Sequence, residues 1–501
     1  MTTIPADETG VVPAPRRRRR VHTLDTRIAM LNIAFALLLL GGVIAIVVVP
    51  WPNRAVILPT VALTYMAGWY IWVIYRRDRE LPIFELGSLW VAASYMYSAY
   101  PLINFIAGGF AWNGSISDFR LRAYGDDPVI MGTFAWRYVL YYFCFVTIYV
   151  WRRGRWKVSS QEVVRPNRSE IASILILFSA SLLLLTGVAR AYGIEYDASY
   201  KDILSGESKT IIALPYVLLQ FIQNFMSARF LLTQLLVAVG LIFWYKRWCR
   251  YLLISGFVIH VVYTTLNRGA RGELILLILT AILLYHRFVR PLTLKIVVPL
   301  GVGVLFFFFL LGIIRDVQGL SSLEKRNVSV LATTNEFQAV FGTSFHVLVM
   351  KNDGSIGEIP WQLRWADLYY LVPSQFLPFE KIDPSAWYLH VAHIEGVGFM
   401  YGAISEAILG GDWIELAIRG VVLGWLSAFV HRWYVRRSKR FWPCMFYLFL
   451  CVWMFYSMRA TGFSVLYRIV YTFIPTLICV EAVAWTLRRT RKQAIRVTRG
   501  I

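Results

Sequence analysis

Apolar residues along this chain collect into long runs, and short polar or basic segments separate them. Ile28 to Val49, Val129 to Trp151 and Leu294 to Ile314 are each long enough, as helices, to cross a hydrocarbon core. The same pattern predicts spans at about Ala55 to Tyr75, Phe84 to Ile106, Ile171 to Ala191, Phe230 to Trp244, Tyr251 to Leu266 and Leu274 to Tyr285. Three more follow at about Trp413 to Val430, Trp442 to Met458 and Val465 to Trp485. The expectation is an all-α, polytopic membrane helix bundle of about twelve transmembrane helices. The apolar stretch Ile211 to Trp244 is too long for one span and is broken by Arg229, so Ile211 to Met226 is read as interfacial or re-entrant.

Charge orients this threading. Lys and Arg concentrate in cytoplasmic loops, and here the basic blocks are Arg16 to Arg20, Arg76 to Glu80, Trp151 to Lys157, Lys246 to Arg250, His286 to Arg290, His431 to Arg440 and Arg488 to Lys492. Twelve spans place all of them on one side, with both termini cytoplasmic. Counting Ile211 to Met226 as a further span would strand the later blocks outside. Between spans nine and ten lies one large polar loop, residues 316–396, with five Lys/Arg against nine Asp/Glu, a net of −4. It is expected to face outward as short helices and turns, with its many aromatic rings lying on the bilayer interface or exposed as faces. The domains follow: a basic tail 1–27, a membrane part 28–315, the loop 316–396, a membrane part 397–485 and a basic tail 486–501.

Composition agrees with this reading. The hydrophobic fraction is 58% and the charged fraction 16%, against about 45 to 50% and 25% in soluble domains. The net charge of +22 is explained by topology, so no nucleic-acid partner is expected. The five cysteines show neither metal spacing nor a disulfide framework. The apolar run after Arg20 lacks a small-residue cleavage site and is read as a retained first helix.

The candidate chemistry lies in cations that break the charge rule. Arg268 and Arg271 between spans seven and eight, Arg315 after span nine and Arg459 after span eleven all face outward in this threading. A guanidinium grips phosphate oxygens with two parallel hydrogen bonds, so arginines at one membrane face suit a lipid-linked pyrophosphate; the alternative is snorkelling to headgroups or pairing with loop carboxylates. His346, His390 and His393 lie in the outer loop and are candidate proton acceptors. Glu406 competes with them for that role. It sits in the small, apolar segment GFMYGAISEAILGG and needs a partner, either Arg or substrate.

Three stretches carry a family likeness: NRGARGELILLILTAILLY, GVGFMYGAISEAILGGDWIELAIRGVVLG and SMRATGFSVLYRIVYTFIPTL. With the span count and the late outer loop, the chain resembles the O-antigen or oligosaccharide repeat-unit polymerases of bacterial inner membranes. It departs from them in placing Gly410 to Trp413 where an aromatic-Gly turn is more usual. The resemblance implies a membrane glycosyltransferase that moves a growing glycan from polyprenyl pyrophosphate onto an incoming lipid-linked unit at the periplasmic face, in O-antigen, capsule or exopolysaccharide synthesis. It implies Arg268, Arg271, Arg459 and Arg315 for the pyrophosphate, and His390, His393, His346 or Glu406 for the proton. No cofactor or metal is called for, and the implied partners are the lipid-linked oligosaccharide, membrane lipids, and chain-length regulator and flippase proteins. An O-antigen ligase would share these features. A twelve-helix secondary transporter is the remaining alternative, disfavoured because no half-to-half repeat is present.

Overall fold

The computed structural model describes residues 16–78, 83–110, 127–155, 165–183, 228–244, 246–268, 271–293, 295–297, 299–301, 303, 336–365, 369, 371–372, 376–382, 384–393, 402–459 and 463–499. Among these, every regular element is a helix. In chain order they are α1 (Arg16–Val48), α2 (Arg54–Asp78), α3 (Leu86–Ala107), α4 (Pro128–Arg153), α5 (Arg168–Leu183), α6 (Arg229–Ile242), α7 (Arg247–Arg268) and α8 (Arg271–Phe288). Then come α9 (Glu336–Asn352), α10 (Trp361–Arg364), α11 (Pro384–Val391), α12 (Ala403–Leu409), α13 (Trp413–Arg437), α14 (Phe441–Tyr456) and α15 (Phe463–Arg468). A π-helical turn (Ile469–Phe473) joins α15 to α16 (Ile474–Arg499).

Five of these helices are long and apolar enough to cross a membrane: Ile28–Val48, Arg54–Asp78, Pro128–Arg153, Trp413–Arg437 and Val465–Arg491. Arg229–Ile242, Leu276–Phe288 and Phe441–Phe455 are apolar but shorter. At 14 residues, α6 reaches roughly 21 Å, short of a hydrocarbon core of about 30 Å. Among the described residues, the helical bundle with five membrane-compatible helices agrees with the hydropathy pattern at the level of an all-helical chain with several candidate spans. The re-entrant stretch 211–226 lies outside the described residues, as does most of the ninth predicted span.

Packing follows side-chain size. Gly420 and Gly424 stand one turn apart on α13, and a Cβ on either would lie 2.7 Å from a carbonyl oxygen of α4, that of Tyr141 or Phe145. Missing side chains therefore let α13 and α4 run side by side in backbone contact, as small-xxx-small pairs do in membranes. Trp90 of α3 stacks on Phe145 of α4, and Phe145 on Tyr149, which fills the space between α3 and α4 with rings. Large apolar residues of α1 such as Met30, Leu37, Val43 and Val47 are exposed, as expected of a lipid-facing helix.

The helix ends that carry Asp78, Arg153, Arg287 and Ser438 meet at one end of the bundle. There Arg153, at the end of α4, is buried and pairs with Asp78 at the end of α2 (2.6 Å) and with Glu85 before α3. Tyr149 also donates to Glu85. His431 of α13 shares a 2.9 Å hydrogen bond with Tyr447 of α14, whose hydroxyl accepts from the Leu86 backbone N–H. Arg287 at the end of α8 donates to the Ser438 carbonyl after α13. Buried charges at a helix end need partners of opposite sign, and here the partners come from segments that the charge rule places on one side.

One segment of the predicted outer loop enters the bundle. On α9, Phe337 meets Tyr97 halfway along α3, while Phe341 and Phe345 pack on Phe134 of α4. The helix emerges beside the start of α4, and Val340, Phe341, Phe345, Val347 and Leu348 are buried. The acidic average of residues 316–396 conceals this apolar stretch.

Candidate functional site

The far end of the bundle, opposite Asp78 and Arg153, brings together the stretches that the sequence singles out. A Cβ on Gly402 would lie 2.7 Å from the Met458 carbonyl oxygen, so the start of the Glu406 segment rests directly on the residue before Arg459. Ser344 of α9 and Ser405 of α12 share a buried 2.9 Å hydrogen bond that joins the same segment to α9. On the other flank, α6 and α8 run in the same direction, with Gln234 donating to Thr280 at 2.8 Å. Leu283 and Leu284 of α8 border one small void with Met445 and Leu448 of α14. The start of α8 and the end of α14 therefore point to the same end.

The predicted pyrophosphate arginines are placed as follows. The backbone of α7 ends at Arg268 and that of α8 starts at Arg271; their side chains lie outside the described residues. Arg459 is half-buried after α14. Arg315 lies outside the described residues.

Glu406 is 6% exposed, and the partner it needs is supplied by the chain: Arg419 of α13 donates to it at 2.9 Å. Arg419 also pairs with Glu415 at 2.7 Å, and Glu415 accepts from the Gly411 backbone N–H, closing the turn from α12 into α13. Among the histidines, His346 projects from α9 and shares a 2.8 Å hydrogen bond with the Tyr388 hydroxyl of α11, which fixes its ring. His390 and His393 are exposed at the end of α11, and His393 has a left-handed backbone, φ 50°. Among the described residues, no three His, Cys, Asp or Glu side chains are grouped so as to hold a metal.

Other residues of this end are not evident from sequence. Arg137, nine residues into α4, makes a bidentate pair with Asp412 at 2.7 and 2.6 Å and lies over the Trp413 ring, 4.6 Å from its centroid. The Gly-Gly-Asp-Trp turn is therefore an ion-pair clamp between α4 and α13. Lys351, in the last turn of α9, donates to the Ile408 carbonyl at the end of α12. Burial lowers the ammonium pKa of Lys351 below its ordinary value; Arg137 and Arg364 push it the same way, and Asp412 and Glu415 oppose them. The signal for Arg137 was a single cation inside an apolar run, which by its cost implies a partner.

No protein-family model, curated protein or solved structure matches this chain. A cleft of about 430 Å³ between α1, α2 and α3 is lined by Leu38, Gly41, Thr60, Thr64, Tyr65 and Tyr95. It borders helices other than those that carry Arg268 and Arg459.

Proposed function

We propose that this protein polymerises lipid-linked oligosaccharide repeat units, with the far end of the bundle at the outer face of a bacterial inner membrane. A hydroxyl of the incoming unit attacks the anomeric carbon of the growing glycan as the bond from that carbon to the pyrophosphate oxygen breaks. The hydroxyl proton passes to a base, and polyprenyl pyrophosphate leaves. Of the four candidate bases the role is assigned to His346, whose ring is held by Tyr388, whereas Glu406 is engaged by Arg419. Arg268, Arg271 and Arg459 hold the leaving group, and Arg315 is assigned to the same role. Charge builds on that group as the bond breaks, so preorganised cations favour the transition state over the ground state.

The observation that carries this reading is the seating of Gly402 on the Met458 carbonyl. It supports a single site because it joins the Glu406 stretch to the Arg459 stretch, two segments that have no reason to meet if each merely anchors its own helix to headgroups. The surface glycan of a strain lacking this protein tests the proposal. Single repeat units attached to the lipid core are expected; long chains left on the carrier would instead mean that the protein is the ligase.

A further inference from the structure

Trp453, near the far end of α14, is contacted from two helices. Arg468 holds its guanidinium carbon over the indole, 4.8 Å from the ring centroid. Phe230 of α6 meets the same ring edge-on, centroids 6.1 Å apart, and so brings the start of α6, with the buried Arg229, to this corner. Arg468 lies in the first turn of the candidate span Val465–Arg491 and is half-buried. Among the described residues, no carboxylate forms an ion pair with it.

A cation at the edge of a hydrocarbon core is costly and is kept for a reason. An aromatic ring steadies a guanidinium through its face without neutralising it, while the five N–H donors lie in the guanidinium plane and suit an anion. The chain also departs from regular helix immediately afterwards, in the π turn Ile469–Phe473. Such turns recur at functional sites because they re-aim side chains. Here Arg468 reaches α14, while Tyr471 donates at 2.7 Å to the Leu371 carbonyl of the outer segment.

Depth separates this corner from the other arginines. Gln234 and Thr280 are level on two helices running in the same direction. Arg229 lies five residues before Gln234 and Arg271 nine residues before Thr280, so Arg271 starts roughly 6 Å farther out. We propose that Arg468, held over Trp453, binds the phosphate of a membrane lipid. On the polymerase reading, on which this rests, it is the lipid-proximal phosphate of the polyprenyl carrier, and the outer arginines hold the sugar-side phosphate.

The test is titration of the purified full-length protein with a polyprenyl pyrophosphate, a polyprenyl monophosphate and phosphatidylglycerol, followed by native mass spectrometry. Arg468→Ala should weaken both polyprenyl ligands by roughly tenfold or more, as loss of charged hydrogen bonds does, and leave phosphatidylglycerol as in wild type. Arg468→Lys, which keeps the charge but loses the fork, should fall between the two and serves if the alanine variant does not accumulate. Wild-type affinity for the polyprenyl ligands in both variants would overturn the site. An equal loss of phosphatidylglycerol would overturn its assignment to the carrier. The two proposals fail separately. Arg468-dependent carrier binding, with unchanged glycan length in the deletion strain, removes the polymerase reading and keeps the site. A lost polymer with unchanged variant affinity does the reverse.

Discussion

Arg137 and Asp412 show what a single pair contributes here. The Arg137 side chain is 7% exposed and that of Asp412 22%, and the two are joined by two hydrogen bonds. Removing one partner of such a pair leaves an uncompensated charge and costs about 3 kcal/mol, whereas replacing both with apolar residues removes the desolvation term as well. Arg137→Leu should therefore lower the thermal unfolding temperature in detergent more than the double variant Arg137→Leu/Asp412→Leu does. A loss in the double variant equal to the sum of the losses in Arg137→Leu and Asp412→Leu would mean that the pair is not coupled. At this scale the sequence was partly readable. That Glu406 needs a partner follows from its apolar surroundings, but Arg419 as that partner does not, because a turn and half a helix separate the two. Arg137 was overlooked because its partner lies on a distant helix, and spacing along the chain reveals only local pairs.

At the scale of elements, helix boundaries were legible wherever apolar runs end in charge. The predicted spans at about Ala55 to Tyr75 and Val129 to Trp151 fall within α2 and α4. In α13 the Gly420–Gly424 pair decides the contact with α4, since a side chain at either position would meet a backbone carbonyl. Backbone cannot swing aside as a side chain can. Gly424→Leu should destabilise the fold by about 2 kcal/mol through overpacking, seen as a lower unfolding temperature and less protein in the membrane, while the same change at Gly41, which has open space around its Cβ position, should have little effect. The α9 helix was not legible as an element of the bundle. Its buried face of Val340, Phe341, Phe345 and Leu348 is interrupted by Thr343, Ser344 and His346, and acidic residues outside the helix set the average for the segment.

For the whole molecule, the partition of charge is the feature that organises the rest. Asp78, Glu85, Arg153, Arg287 and His431 meet at one end, and the Glu406, Arg459 and Arg468 segments meet at the other. The two groups are held by different chemistry, buried ion pairs at the first end and close backbone seating with a ring-held guanidinium at the second. The candidate site was legible as three stretches of sequence and not as a geometry, because only packing shows that two of them touch. The most direct test of the central claim is chain extension by the purified protein supplied with polyprenyl-pyrophosphate-linked repeat units. The account predicts lipid-linked glycans of two or more units, one polyprenyl pyrophosphate released per bond formed, and near-complete loss of extension in Arg268→Lys. Repeat units that remain single with the wild-type protein, or a full-length ladder from Arg268→Lys, would contradict it.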